Sequence, residues 1–163
     1  MALTTFIRAT QREVYHFLSY MCAPDEAENL TQETYLRALR ALPSFSGRLR
    51  ARTWLLSITR QVAAGQPYTG AVGNRDVVAA VASAPHRSGE EGSALLRELV
   101  ARLEADRRDA FVLTQMLALD YAAAAEVCDC PVSTIRSRVA RAREDLVCAM
   151  NSLGWSDRST TGP

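Results

Sequence analysis

From Cys130 to Arg143 the sequence reads CPVSTIRSRVARAR, which holds four arginines, three hydroxyl side chains and no acid. A guanidinium fork matches the acceptor pair on a guanine edge in the major groove and also grips phosphate oxygens. Val132, Ile135, Val139, Ala142 and Leu146 step by three and four residues, so one face of a helix is apolar. Arg136, Ser137 and Arg141 must then face water or a ligand, with Arg138 and Arg143 beside them. Ser133 and Thr134 bring hydroxyls to the helix N-terminus, where free backbone N–H groups favour phosphate. An ordinary solvated face would mix glutamates among the arginines for pairing along the helix, yet the first acid here is Glu144. Contact with DNA is the chemistry this pattern fits.

Two further segments carry interaction chemistry. FSGRLRARTWLLSITR places Arg48, Arg50, Arg52 and Arg60 with Phe45 and Trp54, again without an acid. Cations for a backbone and rings for unstacked bases suit single-stranded DNA, although Phe45 and Trp54 could equally be core residues beside solvated arginines. The segment DEAENLTQETYLRAL has the opposite sign. Asp25, Glu26, Glu28 and Glu33 precede its first arginine, Arg37, and Gln32 extends the polar surface into mid-helix. An acidic first turn stabilises a helix by its dipole; the longer polar run suits a protein partner with a basic surface.

Helices must position these groups, and the expected fold is all-α, two small helical domains joined by a flexible linker. Phe6, Ile7, Val14, Phe17, Leu18 and Met21 recur at helical spacing. Asp25 and Glu28 are spaced like a capping box, with Ala27, Leu30, Ala38 and Leu42 as core positions up to Pro43. A third helix from Thr53 is expected to bury Trp54, Leu55, Ile58 and Val62. Five of the eight glycines, with Pro67 and Pro85, fall between Gly65 and Gly92, so residues 66–92 read as the linker, with a short helical turn near RDVVAAVA. Leu95, Leu99 and Leu103 open the second block as one stripe. A short alanine-rich helix from Tyr121, a turn at CDCP and the arginine helix, with Pro131 at its first position, give helix-turn-helix spacing. The expected domains are 1–65 and 93–150, with a frayed tail over 151–163.

Composition excludes several classes. The 163 residues carry a formal net charge of +1, so any nucleic-acid surface must be local. All 19 basic residues are arginine. No apolar run reaches bilayer length and the N-terminus lacks signal-peptide organisation, so a soluble intracellular protein with no membrane insertion is expected. Cys22, Cys128, Cys130 and Cys148 lack metal-ligand spacing and read as small buried thiols, with no metal and no cofactor. His16 and His86 have no catalytic partners at informative spacing, so there is no catalytic set and an enzyme is not expected.

Together, DEAENLTQETYLRAL, FSGRLRARTWLLSITR and YAAAAEVCDCPVSTIRSRVARAREDL resemble the extracytoplasmic-function sigma factors, a bacterial class with sigma domains two and four only, and most closely its actinobacterial members. The resemblance implies an alternative sigma factor in the cytoplasm that directs core RNA polymerase to promoters. Residues 1–65 would dock on the β′ clamp helices through Asp25, Glu28, Leu30, Gln32, Glu33 and Arg37, and Phe45, Arg48, Arg50, Arg52, Trp54 and Arg60 would meet the unwound −10 element. Residues 93–150, held near the β flap, would read the −35 element through Arg136, Ser137 and Arg141, supported by Ser133, Thr134, Arg138 and Arg143. An anti-sigma factor is a further implied partner. The sequence departs from the pattern at Asn29, where aspartate is common, and at Gly65 and Pro67, which end the third helix early. Recognition of −10 then falls to the loop from Phe45 to Arg52, or is weak, or the chain is divergent. The alternatives are a degenerate sigma-like interaction protein and a stand-alone helix-turn-helix regulator. The low net charge also implies that promoter specificity emerges only with polymerase bound.

Overall fold

The computed structural model describes residues 2–65 and 89–154; the helical turn expected near RDVVAAVA, most of the expected linker and residues 155–163 of the tail lie outside that range. Seven α-helices, and no strand among the described residues, make two blocks. The first holds α1 (Ala2–Met21), α2 (Pro24–Ala41) and α3 (Ala51–Ala64). The second holds α4 (Gly89–Ala101), α5 (Ala105–Phe111), α6 (Tyr121–Cys128) and α7 (Val132–Ser152). Helix therefore extends four residues into the expected linker, and at the other end two residues into the expected tail.

Local chemistry sets the helix ends. Pro24 occupies the first position of α2, and the residue before a proline is driven extended, so Ala23 at ψ 145° becomes the N-cap. No side chain caps α2, so the capping box expected from Asp25 and Glu28 does not form. A 3-10 turn, Leu42–Ser44, follows α2, and Gly47 at φ +73° turns the chain towards α3. α3 starts two residues before the expected Thr53. Asp120 caps α6 by accepting a hydrogen bond from the Ala123 amide at 2.7 Å. Asp129 adopts the left-handed conformation at φ 51°, which ends α6 and swings the chain into Pro131. Pro131 is the N-cap of α7, one residue outside the position expected for it.

Within the first block, Val14, Leu18, Ala27, Leu30, Ala38, Leu55, Ile58 and Val62 form a core. Thr31 and Thr34 share the buried face of α2 and donate to the carbonyls of Ala27 and Leu30 at 2.7 and 2.8 Å, which removes the cost of their burial. Thr10 Oγ1 and the Tyr35 hydroxyl, 2.7 Å apart, tie α1 to α2. Leu42, expected in this core, is 45% exposed, because it lies in the 3-10 turn where the α-helical step no longer holds. Trp54, expected to be buried, is half-buried.

A second and larger core joins the blocks. Leu95, Leu99, Leu103, Phe111, Ile135, Val139, Ala142 and Leu146 pack together, and Phe17, Met21 and Leu56 from the first block enter the same cluster. α1 thus has two apolar faces, Val14 and Leu18 turned inward and Phe17 and Met21 turned to the second block. α3 divides in the same way, with Leu55 against its own block and Leu56 against the other. The second block's α6 lies along α3, and Arg97 of α4 stands 5.7 Å from the ring centre of Tyr20. The described parts of the two domains are packed on one another.

Phe17 is fully buried in that seam. Phe17→Ala is expected to cost about 3–5 kcal/mol, the usual range for deleting a buried aromatic ring. Urea unfolding followed by circular dichroism checks this, and a loss below about 1 kcal/mol would mean that the seam is not packed in solution.

Candidate nucleic-acid interface

α7 is 21 residues long, with Ile135, Val139, Ala142 and Leu146 buried as the apolar stripe requires. Burying that stripe leaves Arg136, Ser137 and Arg141 exposed on the opposite face. Arg136 and Arg141 have no hydrogen-bond or ion-pair partner among the described residues. Their neighbours differ. Arg138 Nη2 meets Asp106 Oδ2 at 3.2 Å, and Arg138 Nη1 lies 3.7 Å from the Cys130 sulfur. Arg143 donates to Gln115 Oε1 at 2.8 Å. The expected set therefore divides into two free cations and two held ones.

At its N-terminus α7 has no side-chain cap, and Ser133 is exposed while Thr134 is half-buried. These hydroxyls, with Ser137, Arg138 and Arg141, line one wall of an open cleft whose other wall is Glu104, Asp106 and Arg107. Arg107 bridges Asp145 at 2.6 Å and Glu104 at 3.4 Å, bracing α5 against α7. Its hydrogen bond to Asp145, above all, holds the Arg107 guanidinium above its ordinary pKa. The free face of α7 offers forked donors and hydroxyls with a rigid core behind them, as groove contact requires.

The aromatic segment is arranged differently from its sequence pattern. Phe45 and Trp54 pack on each other with ring centres 4.8 Å apart at 42°. Trp54 also lines an apolar crevice with Phe6, Ile7 and Tyr35. Arg48 and Arg50 are exposed and have no partner among the described residues. Arg52 and Arg60, expected to be available for single-stranded DNA, are not free. Arg52 binds Glu13 through two of its nitrogens, and its Nη2 donates to the Leu117 carbonyl of the second block at 2.8 Å. Arg60 Nε binds Asp109 Oδ2 at 2.7 Å. Burial pushes the Asp109 carboxyl above the usual carboxylate range, while Arg60 beside it pulls the other way.

On α2, Asp25, Glu28 and Gln32 are exposed, and the half-buried Glu33 pairs with Arg37 at 2.6 Å. Leu30 does not belong with them, since only 7% of it is exposed and it packs in the first core. Leu36 and Leu39, which the sequence reading did not single out, are 50% and 42% exposed on the same helix. Their signal was available: both fall off the stripe made by Ala27, Leu30, Thr34 and Ala38.

The expected small buried thiols divide as well. Cys22 and Cys128 are buried, but Cys130 is half-buried and Cys148 exposed. Cys148 lies beyond the buried stripe of α7. Burial, helped by the Glu26 carboxylate, pushes the Cys22 thiol up to about 11, and burial likewise pushes Cys128 up to about 12. In native protein at about pH 8, mass spectrometry after maleimide treatment should find Cys148 labelled first, Cys130 more slowly and the other two only after urea is added.

Two family profiles match the chain, Sigma-70 region 2 over residues 6–64 and Sigma-70, region 4 over residues 93–146. The chain is 45% identical over 153 residues to the probable RNA polymerase sigma-C factor of Mycobacterium bovis, covering 90% of this chain and 82% of that one. It is 33% identical to the ECF RNA polymerase sigma-E factor of Escherichia coli K12, covering 83% and 80%. Among solved structures, the sigma factor RpoE of Bartonella quintana, in complex with the anti-sigma factor NepR, superposes with a TM-score of 0.72 at 26% identity, over 96% of this chain and 99% of that one. CnrH, in complex with the cytosolic domain of CnrY, gives 0.75 at 18% identity over 93% and 88%, a likeness of fold.

Proposed function

This chain belongs to the sigma-70 family as an extracytoplasmic-function (ECF) factor of the actinobacterial type, and we propose which of its surfaces do the work of that class. An ECF sigma factor binds core RNA polymerase and directs it to promoters. Here the −35 element would be read by Arg136, Ser137 and Arg141, with Ser133, Thr134, Arg138 and Arg143 on the adjoining backbone. The observation that carries this assignment is that Arg136 and Arg141 are exposed and have no partner among the described residues, while the apolar stripe of α7 is buried. A rigid helix with free guanidinium forks contacts base edges without first breaking internal bonds.

The first block would bind polymerase through Asp25, Glu28, Gln32, Glu33 and Arg37 of α2, to which we add the exposed Leu36 and Leu39. Charged groups around two leucines match the mixed polar and apolar make-up of a protein interface. The −10 strand would meet Arg48 and Arg50 first, since both are exposed, with Phe45 and Trp54 beside them. Arg52 and Arg60 would join once their internal partners release them. The division into residues 1–65 and 93–150 is part of the same proposal, as are a cytoplasmic location and an anti-sigma protein as regulator. The work is binding and positioning, without a catalytic step of its own.

Transcription reconstituted with core polymerase and a genomic promoter library tests the proposal. Wild-type chain should give discrete start sites absent with core polymerase alone, and their absence would overturn the assignment. Arg136→Ala and Arg141→Ala should each lower promoter-dependent output by roughly tenfold or more while leaving polymerase binding intact. Gln32→Ala combined with Leu36→Ala should weaken polymerase binding instead.

A further inference from the structure

Four arginines assigned above to DNA, Arg52, Arg60, Arg138 and Arg143, already hold an acceptor within the chain, and two of them share one. Arg60 of α3 binds Asp109 at 2.7 Å and lies 3.6 Å from Asp106 Oδ1. Arg138 of α7 takes the other oxygen of Asp106 at 3.2 Å. Both acids stand on α5, three residues apart, so one short helix presents carboxylates to α3 and to the DNA-facing side of α7. Across the same seam Arg52 is held by the Leu117 carbonyl.

A carboxylate and a phosphodiester offer a guanidinium the same thing, two anionic oxygens in the plane of its fork. An arginine satisfied by one is withdrawn from the other. The side chain of Arg60 is only 27% exposed and that of Asp109 13%, so a phosphate would have to displace Asp109 to take the Arg60 fork while the blocks are together. Asp106 is 51% exposed and lines the cleft beside Ser133, Thr134 and Ser137. A phosphate arriving at Arg138 would lie against its like charge.

We propose that Asp106 and Asp109 act as a built-in substitute for DNA phosphate, lowering the free chain's affinity for single strands through Arg60 and for duplex through Arg138. The DNA role of these arginines rests on the reading above; the masking is additional to it. Core polymerase, by holding the two domains apart, would remove Asp109 and Asp106 from Arg60.

Fluorescence anisotropy of the full-length chain with mixed-sequence DNA, at low salt, tests the masking without any promoter. Asp109→Asn should tighten single-strand binding about threefold or more and leave duplex binding within about twofold, since its hydrogen bond is to Arg60 and not to an arginine of α7. Asp106→Asn should tighten both. Glu104→Gln is the control: it removes the same charge from the same cleft but from a carboxylate paired with Arg107, so any tightening it gives is the general gain from lost negative charge, which the aspartate variants must exceed. Aspartate variants no tighter than Glu104→Gln, with unchanged melting, would overturn the proposal. If Asp109→Asn melts early, Asp106→Asn carries the test alone. Reconstituted transcription separates the two claims: promoter-specific start sites with no tightening would leave the sigma assignment standing and remove the masking, whereas tightening with no start sites would do the reverse.

Discussion

Everything in this fold depends on α1 and α3 each having two apolar faces. Phe17 and Leu18 are neighbours in sequence, as are Leu55 and Leu56, and in each pair the side chains go to different cores. A helix turns about 100° per residue, so adjacent apolar residues widen a stripe until one helix serves two partners. Burying these four side chains stabilises the fold more than any of the partly exposed ion pairs does. The arginine–aspartate contacts across the seam then set how the blocks are registered on each other rather than whether they meet.

That packing determines which charges are free. The chain is close to neutral, yet its cations fall into two groups. Arg52, Arg60, Arg107 and Arg138 are committed to acceptors of the chain itself, while Arg48, Arg50, Arg136 and Arg141 face outward without one among the described residues. Guanidinium stays charged at any physiological pH, so the difference between the groups is one of geometry alone. A near-zero sum conceals a local excess on α7, where the opening turns carry no acid.

Much of this could be read from residues alone, and what could not has identifiable causes. Ile135, Val139, Ala142 and Leu146 step cleanly and are all buried, which fixed the outward side of α7. Phe17 next to Leu18 gave the helix but not its second partner, because periodicity records that a face is apolar and not what covers it. Leu42 continued the stripe by counting, yet the chain had already left α-helical geometry there. Asp25 and Glu28 had capping-box spacing, but Pro24 took the first position before them. Residue types likewise gave Arg60 its charge; its partner Asp109 is 49 residues away and appears only once the blocks pack. The thiols of Cys130 and Cys148 show the same limit, since burial depends on neighbours that spacing does not name.

The length of α7 has a mechanical consequence. Its 21 residues extend about 31 Å, and its early turns carry the outward arginines while its buried stripe is the spine of the second block's core. A short surface helix can rock to follow a groove, but this one cannot tilt without dragging the block that it supports. Any change in the direction of α7 therefore moves the second block's core with it, and the pointer is stiff.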